Sequence, residues 1–277
     1  MTIIPPFFLR AVVAIGIKSN PQDEKPSHWI GTGFLVGRPE ENEKYSIYLI
    51  TNRHVIDKHV EIYLRCNSKT GTNPKDYVIP TGNGTTNILY SCHPNPSVDI
   101  CAIRINAGVL ENDKMESDFF SLDNHALTLK QMQETGVSEG SIVYALGFPM
   151  NLVGDVKKTP ICRLGCISRI ADSYVDERCL QYLIDAHAFP GNSGGPVINC
   201  PEQISIEGTP HNSSANLIGI LNSYIPYSDT LKSTQTGEIR SVQKENSGLT
   251  NVYPVDRILE VVEVERKRSN QPSKERE

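Results

Sequence analysis

The chain has 277 residues, a formal net charge of −5, 38% apolar and 21% charged residues. That length can bury a sizeable core and holds one large domain or two small ones, while the interspersed charges offer no electrostatic grip on nucleic acid. No apolar run reaches the ~18–20 residues a membrane helix needs. The apolar N-terminus lacks a basic region and a cleavage site and is broken by Pro5, Pro6 and Arg10, so it does not read as a signal peptide. The expectation is a cytoplasmic protein with no nucleic-acid and no membrane partner. The seven cysteines, Cys66, Cys92, Cys101, Cys162, Cys166, Cys179 and Cys200, form no disulfide framework and suit a reducing compartment, several as small core hydrophobes. Cys162-x3-Cys166 has no second pair to complete a metal site, and neither metal nor cofactor is expected. Asn83-Gly84-Thr85 and Asn212-Ser213-Ser214 carry the glycosylation pattern, idle without export.

Short strand signals at 9–17, 29–36, 46–50, 60–65, 87–90 and 98–105 suit one antiparallel barrel. The polar stretch 66–86 between them reads as a surface loop. Over 108–140 the strand signal vanishes, which predicts a linker with at most a short helical turn. A second set follows at 141–147, 161–169, 180–185, 196–198, 215–222 and 248–253, interrupted by a polar flap at 224–247. Residues 255–266 alternate Val, Ile and Leu with Glu and Arg at helical spacing, predicting a terminal helix packed on the second barrel. The tail 267–277, which the basic run Arg266-Lys267-Arg268 leads into, has nothing apolar to bury and is expected to be disordered. The predicted fold is all-β: two antiparallel six-stranded β-barrels, 1–107 and 141–266, joined by 108–140 and closed by a helix.

Residues 187–199 are the stretch with the most chemical content. Gly191-Asn192-Ser193-Gly194-Gly195-Pro196 is a lean loop able to turn consecutive N–H groups toward one point beside a serine. A serine nucleophile needs a base and an orienter. His54 follows the apolar strand 47–50, and Asp99 opens the strand 98–105, giving the chain order His54, Asp99, Ser193. With Gly31-Thr32-Gly33 upstream, these motifs resemble the trypsin/chymotrypsin superfamily of serine proteases, and Thr51-Asn52-Arg53-His54-Val55 and Pro190 to Pro196 are most similar to its HtrA-like and glutamyl-endopeptidase branches. No PDZ-like domain is expected after the second barrel.

The resemblance implies a His54, Asp99 and Ser193 triad and an oxyanion hole from the Gly191 and Ser193 backbone. It places His187 at the base of the primary specificity pocket, with Asn222, Ser223 and Tyr224 on its later strand. A histidine there suits acidic or amide side chains; small or apolar side chains are the competing expectation. Asn192 stands where zymogen-activated trypsins carry an aspartate, so activation by N-terminal trimming is not expected. The implied activity is serine endopeptidase cleavage of protein or peptide substrates, with room for a regulatory protein partner. A serine esterase and a silent peptide-binding module are the alternatives.

Overall fold

The computed structural model describes residues 4–20, 22–71, 73–85, 87–201 and 213–270. The first part comprises α1 (Pro6–Ala11), β1 (Val12–Ile17), β2 (His28–Pro39), β3 (Tyr45–Thr51), α2 (Arg53–Ile56), β4 (Glu61–Cys66), β5 (Lys75–Pro80), β6 (Ser91–Cys92) and β7 (Cys101–Ile105). Next come α3 (Ala107–Asn112), β8 (Phe120–Ser121) and α4 (Leu129–Glu134). The remainder comprises β9 (Ile142–Gly147), β10 (Ile161–Arg169), α5 (Ala171–Val175), β11 (Tyr182–Asp185), β12 (Pro196–Asn199), β13 (Leu217–Lys232), β14 (Ile239–Pro254) and α6 (Val255–Asn270).

The second set of strands closes into a barrel in the order β10-β11-β14-β13-β12-β9. The first does not close: its order is β5-β4-β1-β2-β3-β7-β6, with β8 paired in parallel to β2. The expected pair of six-stranded barrels is therefore one closed barrel and one curled half-barrel sheet. At the open side β6 is only two residues long, and Leu110 of α3 packs there with Met115 against Cys66.

Alternation along the strands divides the core, because successive side chains point to opposite faces. Val13, Ile15, Leu35 and Leu49 fill the concave side of the first sheet. Their neighbours Val12, Ala14, Phe34, Val36, Tyr48 and Ile50 join Leu146, Phe148, Ile198, Leu217 and Ile220 of the barrel in a shared core. Both faces of the middle strands are thus buried, which locks the half-barrel to the barrel.

Several expectations need correction. Residues 9–11 of the strand expected at 9–17 instead end a helix over 6–11, with Pro6 in its first turn and Phe8 buried, where proline's fixed φ costs nothing. The loop 66–86 contains β5, an outer strand that leaves Lys75 and Val78 exposed and so shows little apolar alternation. The strand signal at 87–90 gives only β6, shifted to Ser91–Cys92. The linker 108–140 is tied down by β8 and by a bridge from Ala126 to Leu217. The flap at 224–247 is a continuous ribbon of β13 and β14. Residues 267–270 continue α6 rather than opening a disordered tail; 271–277 lie outside the described residues. So does Asn212 of one sequon. In the other, Asn83 Nδ2 donates to the carbonyls of Ile56 (2.7 Å) and His59 (2.9 Å), so its amide is spent inside the protein.

Helix α6 packs on the first sheet as well as on the barrel. Val255, Ile258, Val261 and Val262 enter the shared core. Glu265, fully buried, accepts from Ser91 Oγ (2.7 Å), the Arg104 N–H (3.2 Å) and the Arg268 guanidinium (2.7 Å). Glu260 pairs with buried His93 in the loop that carries Asp99. Arg268→Leu leaves the Glu265 carboxylate buried without its cation, and urea unfolding should show a loss of about 3 kcal/mol. The estimate is at the low end for a buried pair because Arg268 keeps a quarter of its side chain in solvent. Glu265→Leu combined with Arg268→Leu should recover much of the loss; a double variant as unstable as the single one would refute the ion-pair account.

Candidate active site

Three junctions between strand and loop meet at one edge of the shared core. β3 ends at Thr51, and His54 lies in the turn of α2 that follows. Asn52 Nδ2 donates to the Asp99 carbonyl (2.7 Å), fastening that turn to the loop before β7. Asp99 then receives His54 twice: Oδ2 lies 2.5 Å from Nδ1, and Oδ1 accepts the His54 backbone N–H (3.1 Å). A carboxylate at Nδ1 draws the proton to that nitrogen and leaves Nε2 as the basic one. Behind Asp99, the buried Tyr253 hydroxyl accepts the Asp99 N–H (3.0 Å) and donates to the Ser97 carbonyl (3.0 Å). Burial pushes the Tyr253 phenol up, which keeps it a donor.

The Ser193 loop is fitted against β2. Thr32 N–H donates to the Ser193 carbonyl (3.0 Å), and Thr32 Oγ1 donates to the Gly191 carbonyl (2.6 Å) while accepting the Phe148 N–H (3.0 Å). This close approach requires glycine. A Cβ on Gly194 (φ +84°) would stand 2.1 Å from the Thr32 carbonyl oxygen, and one on Gly191 (φ +98°) 2.4 Å from that of Phe148. The Pro190 carbonyl is engaged by the Met150 N–H (2.8 Å). Among the described residues, the N–H groups of Gly191 and Ser193 have no partner within the chain. Ser193 Oγ donates to the Asn222 carbonyl (3.3 Å) and makes no hydrogen bond to His54.

His54 and Ser193 share a cleft of about 310 Å³ with Ile30, Ala188, Phe189, Pro190, Gly191, Leu221, Asn222, Ser223 and Tyr224. Asp99 stands behind His54. Of the residues expected to bind substrate, Asn222, Ser223 and Tyr224 line the cleft and His187 does not. His187 is exposed, with its ring stacked beside Phe189 at 6.4 Å between centroids. The Arg163 guanidinium covers the Phe189 ring at 4.9 Å. Sequence reading missed the roles of Thr32 and Tyr253. Only the glycines flanking Thr32 hinted at its crowding: a Cβ on Gly31 would meet Val55 at 2.6 Å.

Among the described residues, no group of three or more His, Cys, Asp and Glu side chains is placed to hold a metal ion. No described helix is long and apolar enough to cross a membrane.

Comparison with solved structures finds a serine endoprotease from Yersinia pestis at 18% identity and TM-score 0.49, covering 94% of this chain and 64% of that one. The MamO protease domain from Magnetospirillum magneticum is similar at 16% identity and TM-score 0.48, covering 92% of this chain and 96% of that one. An HtrA-type protease solved with a tripeptide gives 18% identity and TM-score 0.49, covering 92% and 60%. The chain thus spans less than two thirds of the first and third of these proteins. No curated protein matches it. The model of the trypsin-like peptidase domain matches residues 31–204, well over half of the chain, and the chain therefore belongs to the trypsin-like peptidase domain family.

Proposed function

We propose that the protein is a serine endopeptidase in which Ser193 attacks the peptide carbonyl, His54 moves the proton and Asp99 holds the imidazole. The observation that carries this reading is a single cleft in which the His54–Asp99 contact at 2.5 Å stands beside Ser193 and two unspent N–H groups. The Ser193 hydroxyl turns from the Asn222 carbonyl to give its proton to His54 Nε2 as it attacks. The oxyanion that forms takes the N–H groups of Gly191 and Ser193, already oriented by the Thr32 and Met150 contacts. His54 then protonates the leaving amine, and water releases the acyl group by the same steps reversed. Loop contacts formed without a charged partner for Asn192 support an active site assembled without N-terminal trimming.

A fluorophosphonate probe should label the native protein and not Ser193→Ala, and a proteome-derived peptide library should be cut at amide bonds. Cleavage of esters alone would make it an esterase. Absence of labelling would leave a peptide-binding module. Because all seven cysteines are free and the chemistry is complete in three side chains, chelator and mild reductant should leave turnover unchanged; activity lost in EDTA and restored by zinc would contradict this. The free thiols also support a reducing, cytoplasmic location.

The walls of the cleft favour small or apolar side chains before the scissile bond. Ala188, Phe189 and Leu221 line it, and no carboxylate among its lining residues would neutralise a buried guanidinium. Matched peptides with Val, Gln, Glu and Arg at that position should show Val preferred over Arg by roughly tenfold or more. His187→Ala should leave the order unchanged. A preference for Glu that disappears in His187→Ala would instead restore His187 as the selector.

A further inference from the structure

Between β5, which ends the first sheet, and α3, which follows β7, a cavity of about 160 Å³ opens toward solvent. Its floor is formed by Val13, Leu35, Leu64 and Cys66, each buried. Val78 of β5 and Val109 of α3 stand at the outer rim, 50% and 45% exposed, so apolar surface continues from solvent to the floor. The cavity shares no lining residue with the Ser193 cleft. Of its polar side chains, Tyr77 donates its hydroxyl to Asp113 (2.6 Å), and exposed Asn106 caps α3 by accepting the Gly108 N–H at Oδ1 (3.2 Å). Burial pushes the Cys66 thiol up to about 11, which keeps it uncharged.

We propose that this cavity is a binding site for a small uncharged apolar molecule the size of one aromatic ring, which enters between Val78 and Val109. Water held inside a protein needs about two to four polar partners, and this wall does not offer them. A charged ligand would lose its hydration there without a counterion to replace it. An apolar ligand gives up nothing and gains the contacts of the floor. The volume fits the same class, since an engineered apolar cavity of about 150 Å³ takes benzene.

The mouth separates this cavity from a sealed packing defect. Helix α3 lies over it as a lid of six residues, and the residue that follows, Asp113, is clasped to β5 by Lys75 Nζ (2.6 Å) and the Tyr77 hydroxyl (2.6 Å). The Lys75 side chain is 55% exposed and that of Asp113 34%, and an ion pair in solvent holds weakly. The lid therefore lifts at its Asp113 end without disturbing the shared core.

The test titrates toluene into the full chain and follows methyl resonances by NMR. Saturable shifts are expected at Leu35, Leu64, Val109 and Leu110, with a Kd of roughly 1 mM or tighter. N-Methylpyridinium has the shape of toluene but carries a charge, and should bind at least about tenfold more weakly. Cys66→Phe puts a ring on the floor and should abolish toluene binding, while Cys66→Ala should keep it within about threefold. Val109→Trp, at a half-exposed position, blocks the mouth without touching the core and gives the reading if Cys66→Phe fails to fold. Shifts that do not saturate, shifts centred on Leu221 in the Ser193 cleft, equal binding of the pyridinium, or toluene binding that survives in either blocking variant that folds would each overturn the proposal.

Discussion

Ser193→Ala and His54→Ala should each lower kcat for peptide hydrolysis by roughly 10⁴-fold or more, and the double variant should be no slower than either single one. The hydroxyl is useless as a nucleophile without a base to take its proton, and the base has no proton to take without the hydroxyl. The contacts that shape the loop are mostly backbone or belong to Thr32, so Ser193→Ala removes only one hydrogen bond, that to the Asn222 carbonyl. His54→Ala similarly removes a half-exposed ring. Both proteins should therefore keep the circular dichroism and unfolding midpoint of the native chain. Active-site titration separates this from a trace of unmutated enzyme. Losses that multiply in the double variant, or near-native turnover by Ser193→Ala, would show that the two residues do not act as one unit.

The parts of this site legible in the sequence are those written in residue type next to a strand. Ser193 announces itself through three glycines and two prolines within three positions, and Gly194 and Gly191 are required because the Thr32 and Phe148 carbonyls approach within 2.1–2.4 Å of where a Cβ would stand. His54 and Asp99 stand at the ends of apolar strands that both read clearly. The barrel strands were legible for the same reason: Ile167, Ile184, Val197 and Ile218 alternate into one closed core.

What the sequence hid were contacts whose reason lies elsewhere in the chain. Glu265 reads as a solvent-facing charge on the polar side of a helix, and becomes a buried acceptor only because the first sheet presents Ser91 and Arg104 to it. The ribbon of β13 and β14 is exposed on both faces, so no buried side selects apolar residues and no period of two appears over 224–247. Closure of the first barrel could not be read at all, since strand count says nothing about whether β5 and β6 meet. Tyr253 is the clearest case: its two shortest hydrogen bonds, both 3.0 Å, are to a backbone N–H and a carbonyl more than 150 positions away in sequence, and backbone groups leave no mark in a side-chain pattern.

Tyr253→Phe should lower kcat by roughly 10²-fold with KM little changed, because a displacement of about 1 Å in a catalytic group is enough for that loss. Among the described residues, the phenol hydroxyl is the only side-chain group bonded to the Asp99 N–H, and it is also bonded to the Ser97 carbonyl two residues earlier. It thereby sets where the Asp99 carboxylate meets His54. Asn222 Nδ2 reaches the same oxygen at 3.4 Å, so one hydroxyl joins the loop of the half-barrel to the barrel strand whose carbonyl holds Ser193 Oγ. Removing it strands a buried donor and acceptor, at a stability cost of about 1–3 kcal/mol. That cost alone does not distinguish a positioning role from a packing role, so Tyr182→Phe serves as the matched control. Tyr182 is equally buried and its hydroxyl donates to the Ile218 carbonyl (3.2 Å) inside the barrel, without contact to Asp99. Tyr182→Phe should therefore lose stability while keeping kcat, whereas Tyr253→Phe loses both. Fluorophosphonate labelling, which also needs an oriented His54, should slow in Tyr253→Phe alone. If the two variants lowered kcat alike, the hydroxyl of Tyr253 would be holding the core together rather than aiming the triad.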